Sequence, residues 1–333
     1  AGLHRPITDA ELYALFSLYL HYARSDLDPA RLRYTTGLDW ARGPIASQVA
    51  LLTKVGDGEP VRWAVLDYVV AADDGQHEHG ARPIPDALWS TLIHLVPAAD
   101  AYNIGVAAYL RGRRDHAVTA YRRAMSSGHR DHAPMAAFNL GVLLRERGDV
   151  AGARRAYQFA IDSRHHDQGP KAAVGLGVLL VEGGEYQAAR AAYLRAMSSG
   201  HRDYAPMAAF NLGVLLRERG DVAGARRAYQ FAIDSRHHDQ GPKAAVGLGV
   251  LLKEQGNLAG AIRAYRSAID SNHPTYGPMA TFDLGVLAQE RGDLAGARRA
   301  YQEAIAADHP DVSPVARVAL ELLEEHTGPA DPA

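Results

Sequence analysis

The side chains best suited to chemistry in this sequence are its histidines, which occur in three settings. His129, His165, His201, His237, His273 and His309 recur once every 36 residues. His165-His166-Asp167 and His237-His238-Asp239 each set two imidazoles beside a carboxylate, and His77-Glu78-His79 follows Asp73 and Asp74. Imidazole and carboxylate are zinc-type ligands, but they must converge within about 2.1 Å of one ion. Stacked repeats would hold equivalent histidines well apart, adjacent side chains are expected to diverge, and 73–82 reads as a solvated acidic loop. The six periodic histidines are therefore read as structural, bonding the last carbonyls of a helix and complementing its dipole. No metal site is expected.

Other chemistries are missing from the sequence. Without Cys there is no disulfide framework, zinc–cysteine site, iron–sulfur cluster or thiol nucleophile, which fits a reducing cytoplasm. No G-x-x-x-x-G-K-[ST] phosphate loop, G-x-S-x-G elbow or H-E-x-x-H helix occurs. The chain is expected to be a non-enzyme that needs no cofactor. With 36 basic against 38 acidic residues and a net charge of −2, it is no generally basic nucleic-acid binder. The early apolar run Leu12–Leu20 is far short of the ~20 residues of a membrane span, and no signal-peptide pattern leads the chain. A cytoplasmic location and no membrane partner are expected. Only four of the 36 basic residues are Lys, a bias typical of a GC-rich bacterial genome.

The elements that must position any site are set by repetition. Gly105, Gly141, Gly177, Gly213, Gly249 and Gly285 are 36 residues apart, and Tyr121, Tyr157, Tyr193, Tyr229, Tyr265 and Tyr301 keep the same step. Pro134 and its equivalents through Pro314 open successive units, giving six units from about Ala98 to Ser313 and a final helix to about Glu325. Each unit reads as two helices. Met135 to Leu144 is an apolar helix broken by Gly148; Asp149 caps the next, as do Asp221, Asn257 and Asp293. Ala153, Ala156, Tyr157, Ala160 and Ile161 form its buried stripe. Gly141 and Ala153 would let the two helices approach, with the Tyr filling the space beside them. Such hairpins bury both faces only by stacking into a superhelix, and Glu321, Glu324 and Glu325 suit a solvated cap at its end. Residues 123–180 and 195–252 are identical except for His132 against Tyr204, so odd and even units differ with a superperiod of 72.

The pattern resembles the tetratricopeptide repeat: Leu-Gly in the first helix, Gly at the turn, Ala twelve residues after the first Gly, then Tyr157 and Ala160. It departs in its 36-residue period, in Ala137 where the family has a large aromatic, and in His for the terminal Pro. The resemblance implies an interaction module whose first helices line a concave groove that holds a protein or peptide. It places Asn103, Asn139, Asn211 and Asp283 at the position before Leu-Gly that contacts a peptide, with Gly175 and Gly247 at the others. Lys171 and Lys243 follow Asn139 and Asn211 and match part of a carboxylate clamp, whose first Lys is Ala99 here and whose Arg is Gly175. Phe138, Phe210 and Phe282 fall on the same face, either to contact a partner or to pack between hairpins.

Residues 1–97 lack the repeat. Thr8 and Glu11 form a capping box that opens a helix to about Ala23. A second helix runs from Pro29 to Trp40, and Val49–Val55 and Val61–Val65 read as a hairpin. Helices follow at Leu66–Ala72 and from Asp86 to Val96. Helix, helix, hairpin is the order of a winged helix lacking its first elements. Leu3 to Tyr68, with Gly37–Arg42, resembles the segment before the repeats in actinobacterial STAND-type signalling ATPases, which implies a nucleotide-binding domain upstream in the same polypeptide. The expected organisation is a partial winged helix over 1–80, a linker and leading helix over 81–97, the repeat array over 98–326 and a tail over 327–333. As a whole the chain is an all-α hairpin superhelix behind a small α+β domain, and its expected role is the partner-binding sensor of a larger ATPase. The alternatives are a DNA-binding regulator, disfavoured by so few basic residues on the hairpin, and a self-assembling scaffold.

Overall fold

A tyrosine ring lying on a glycine is what closes each helical hairpin. In the computed structural model a Cβ added to Gly213 would sit 2.6 Å from two ring carbons of Tyr229, and Gly177–Tyr193, Gly249–Tyr265 and Gly285–Tyr301 repeat the contact. The ring therefore occupies the space that the glycine leaves open, rather than filling a gap beside a glycine–alanine contact. Tyr229 is 0% and Tyr265 1% exposed.

The structure describes residues 7–8, 10–13, 52–54, 62–65 and 86–327. Outside them lie the rest of the helix expected to reach Ala23, the helices at Pro29–Trp40 and Leu66–Ala72, the motif Gly37–Arg42, the loop Asp73–Arg82 and residues 328–333. The chain divides into two parts, Ala1–His165 and His166–Ala333.

In the first part β1 (Ile7–Thr8), β2 (Leu52–Lys54) and β3 (Arg62–Val65) form an antiparallel sheet in the order β1-β3-β2. Leu52 pairs with Val65 and Lys54 with Trp63, the hairpin expected there, while Ile7 pairs with Trp63 on the other edge. The capping box is present: the Thr8 N–H donates to Glu11 Oε2 at 2.8 Å and the Glu11 N–H to Thr8 Oγ1 at 3.3 Å. Helix α1 (Asp86–Leu95) packs on the first hairpin, α2 (Ala101–Leu110) and α3 (Arg114–Met125). Its Trp89 is fully buried and stacks with His116. Arg123 donates to the carbonyls of His94 and Val96, supplying partners at the end of α1. The second hairpin is α4 (His132–Glu146) and α5 (Val150–Asp162).

The second part holds four more hairpins. They are α6 (Gln168–Glu182) with α7 (Tyr186–Ser198) and α8 (Tyr204–Glu218) with α9 (Val222–Asp234). Next come α10 (Gln240–Glu254) with α11 (Leu258–Asp270) and α12 (Tyr276–Glu290) with α13 (Leu294–Ala306). A last helix, α14 (Val312–Thr327), follows. The expected caps hold: Asp221, Asn257 and Asp293 accept from the N–H three residues on at 2.8, 3.0 and 2.8 Å, as Asp149 does at 2.8 Å in the first part. Each spares a helix start about 1 kcal/mol.

Within this part α6, α8, α10, α12 and α14 pack on one another in succession, while the second helices do not line up in the same way. The row of first helices is thus the tighter, inner one. At α14 Glu321 stands where Gly285 stands one unit earlier, so no ring can be seated there; Glu321, Glu324 and Glu325 are exposed. No helix among the described residues is long and apolar enough to cross a membrane.

Candidate functional site: the inner face of 166–333

On the inner row, Gly247 and Asp283, each just before a Leu-Gly pair, stand by the tyrosine of the preceding hairpin. A Cβ added to Gly247 would lie 2.9 Å from the ring of Tyr229 and 3.4 Å from its hydroxyl. That hydroxyl is buried and has no hydrogen-bond partner among the described residues. Burial pushes it up to about 12, as it does Tyr193. One unit on, the position is Asp283, half-buried near Tyr265 and Lys253. Burial raises its carboxyl to about 6, against the pull of the Lys253 ammonium. Lys253 itself pairs with Glu290 at 2.7 Å. No hydrogen bond reaches the Asp283 side chain among the described residues.

Apolar side chains border these groups. Phe210, Val214, Val246, Val250 and Val286 are half-buried and Met279 is 37% exposed. On α14, Val315, Val318 and Leu322 are 52%, 55% and 50% exposed. Their spacing of three and four puts them on one face, and each lies 36 residues beyond Met279, Phe282 and Val286. A polar cap would not need them.

At the other end of α8 and α12 histidine and serine bond to the backbone. His201 Nδ1 accepts from the N–H groups of Asp203 and Tyr204 at 3.1 and 3.3 Å, at the start of α8. That fixes the proton on Nε2, which donates to Asp167 at 2.8 Å. His273 does the same with Thr275, Tyr276 and Asp239, and its bond holds the Asp239 carboxyl below the usual range. The histidines thus cap the helix that follows, not the one that precedes. The preceding end is served by serine: Ser199 Oγ donates to the Ala196 carbonyl at 2.6 Å and accepts from the His201 N–H.

The pair His237-His238 does not diverge as expected. The rings stack at 5.0 Å, and ligand atoms of His237, His238 and Asp239 lie within 4.8 Å of one another. Preserving the cap limits their use for a metal: His237 Nδ1 accepts from the N–H groups of Asp239 and Gln240, and Nε2 faces Asp203 at 3.4 Å.

The tetratricopeptide repeat pattern matches residues 102–163, 138–202, 176–245, 210–276 and 246–312, well over half of the chain. The chain belongs to the tetratricopeptide repeat family. Repeats of this family mediate protein–protein interactions and are typically non-catalytic scaffolds. No curated protein matches the chain. Among solved structures it is similar to MamA, at 20% identity over 52% of this chain and 91% of that one, with a TM-score of 0.43. It is also similar to YrrB, described as a tetratricopeptide protein with an unusual peptide-binding site, at 20% identity over 61% and 99% with a TM-score of 0.44. BtubC from P. vanneervenii is 17% identical over 61% and 86%, with a TM-score of 0.44.

The residues expected to line a tetratricopeptide groove are placed as follows. Asn103 and Asn139 are half-buried on α2 and α4, and the Asn139 amide donates to the Tyr121 hydroxyl at 3.5 Å, a weak bond at most. Lys171 stands in the first turn of α6. Asn211 is half-buried on α8, and Lys243 on α10 lies 4.3 Å from the Phe210 ring centroid. Phe138, Phe210 and Phe282 sit 6.0, 6.0 and 5.6 Å from the tyrosines of their own hairpins. Phe282 also packs against the clusters that hold Leu323 and Ala316, so this ring packs between its hairpin and α14. Sequence reasoning passed over Met279, Val315, Val318 and Leu322. Carrying the 36-residue step past Pro314 would have found the last three.

Proposed function

We propose that this chain is a protein-interaction module whose inner face in 166–333 receives a segment of a partner protein. The observation that carries it is the exposed apolar side chains of Met279 on α12 and of Val315, Val318 and Leu322 at the same register on α14. Asn211 and Lys243 would border the same groove, and Asn103, Asn139 and Lys171 the corresponding positions of the other units. A randomised peptide library panned on the whole chain tests this, with counter-selection on a Met279→Glu/Val318→Glu variant. Both positions are exposed, so the variant is expected to fold. Peptides that bind the chain and lose the variant are expected; failure to find any would overturn the reading.

We further propose that the repeats act as the sensor arm of a larger cytoplasmic signalling ATPase, behind a winged-helix-type unit. Support for the winged helix comes from β1 adding to the β2–β3 hairpin, which gives a small antiparallel sheet. The ATPase context rests on the resemblance of Leu3 to Tyr68. A reading frame upstream of Ala1 without a phosphate-loop motif would overturn it, as would salt-dependent retention of the chain on DNA.

A further inference from the structure

We infer that the groove selects a partner segment bearing a basic side chain, with Asp283 as the docking carboxylate for its ammonium or guanidinium. The inference rests on the groove reading above and adds the chemistry of the partner. Three features converge. Asp283 has no hydrogen-bond partner among the described residues, although its equivalent Asn139 reaches a tyrosine hydroxyl. A carboxylate left half-buried and unpaired is costly, and a cation removes that cost. The charges facing it leave the site short of a cation. Lys253 is committed to Glu290 at 2.7 Å, and Glu254 and Tyr265 are the other titratable groups close by. Finally, Met279 lies one turn before Asp283 on α12 and is 37% exposed, so a basic group that reaches the carboxyl would have an apolar neighbour to pack on.

Asp283 differs from Asn211 and Gly247 at the same register, which gives the selectivity a place. Only the hairpin next to α14 carries a charge there among the four hairpins of 166–333, and α14 exposes Val315, Val318 and Leu322.

The test uses the groove-dependent peptides selected above. Those peptides are expected to carry Lys or Arg amid aliphatic residues. Asp283→Asn should weaken such a peptide about tenfold or more, the effect expected for one charge-assisted contact. Replacing the basic residue of the peptide by norleucine should weaken binding to the wild-type chain equally and add nothing on the Asn variant. Groove-dependent peptides that lack a basic residue, or an affinity unmoved by Asp283→Asn, would overturn the inference and leave the groove standing. Absence of any groove-dependent peptide would overturn both. Self-association of the chain abolished by Met279→Glu/Val318→Glu would assign the groove to a second copy and also overturn it. Circular dichroism of the Asn variant, expected to match wild type, separates lost binding from lost folding.

Discussion

The two ends of the first helices in 166–333 follow opposite rules. At the N-terminal ends of α8, α10 and α12 the same solution recurs: serine closes the preceding helix, histidine caps the next, and its far nitrogen faces an aspartate 34 residues earlier. Along the inner face the register position changes from Asn211 to Gly247 to Asp283, and polar groups are left without partners. A junction built the same way at three successive first helices is what stacking needs. The positions that vary and are partly unsatisfied are the ones the proposed groove would use.

The contrast breaks first, and most visibly, at the junction. His201→Ala removes an acceptor from two backbone N–H groups and a donor from Asp167. A loss of ~2–3 kcal/mol is expected in urea unfolding, with about half recovered by His201→Asn, which can still cap. His238, 82% exposed on its side chain, should cost less than ~0.5 kcal/mol as Ala. Equal losses at the two positions would refute the capping role.

On the inner face the largest effect is expected at Phe210. Its ring lies between Tyr229 and the Lys243 ammonium and is half-buried, so Phe210→Ala should cost ~1.5–2.5 kcal/mol, short of the ~3–5 of a fully buried ring. An unchanged melting midpoint would make it a free groove side chain.

Asp283 should move stability the other way. Its folded value near 6 lies above the ordinary 3.8, so the folded chain holds the proton more tightly. That contribution is complete below about pH 4 and lost as pH rises through 6. Asp283→Asn should therefore stabilise the chain above pH 6 by ~1–2 kcal/mol, after discounting for partial solvation, and be neutral below pH 4. A variant less stable than wild type at pH 7 would show that the carboxylate has a partner in the fold.

Much of the junction and the core could be read from residues, because local geometry speaks in residue types. Asp221 four residues before Ala225, Gly213 sixteen before Tyr229 and the six-fold step leave few folds open. The histidines were recognised as structural but assigned to the wrong helix. The distinction depends on the left-handed turn between Ser and His, where Gly200 has φ 65° and even Arg236 adopts 54°. That turn swings the imidazole forward onto the next helix. His237 and His238 stack for a related reason: helix α10 begins three residues after His237, and capping it turns the first ring toward the second. The groove was legible only in outline. Whether Asp283 is paired depends on Lys253 and Glu290, thirty residues back and seven on, and no spacing rule brings those three together.

The smallest effect separates the two rules most cleanly. Tyr229 and Tyr301 each lie over the glycine of their own hairpin, and their hydroxyls differ in partner. Tyr301 donates to Gln289 at 2.7 Å, whereas the Tyr229 hydroxyl is buried without a partner among the described residues. Removing a bonded hydroxyl forfeits that bond, so Tyr301→Phe should cost ~0.5–1 kcal/mol. Removing an unbonded one relieves a desolvation cost, so Tyr229→Phe should be neutral or stabilise the chain by up to ~1 kcal/mol. The ring contact with glycine is kept in both, so packing cancels from the comparison. Both variants are measured at one pH near neutrality, where neither hydroxyl ionises. Equal losses would mean that the Tyr229 hydroxyl finds a partner in solution and that the inner face is as fully bonded as the junction. The expected inequality would show that the Tyr229 hydroxyl stays buried and unbonded in solution while its equivalent at Tyr301 is paired.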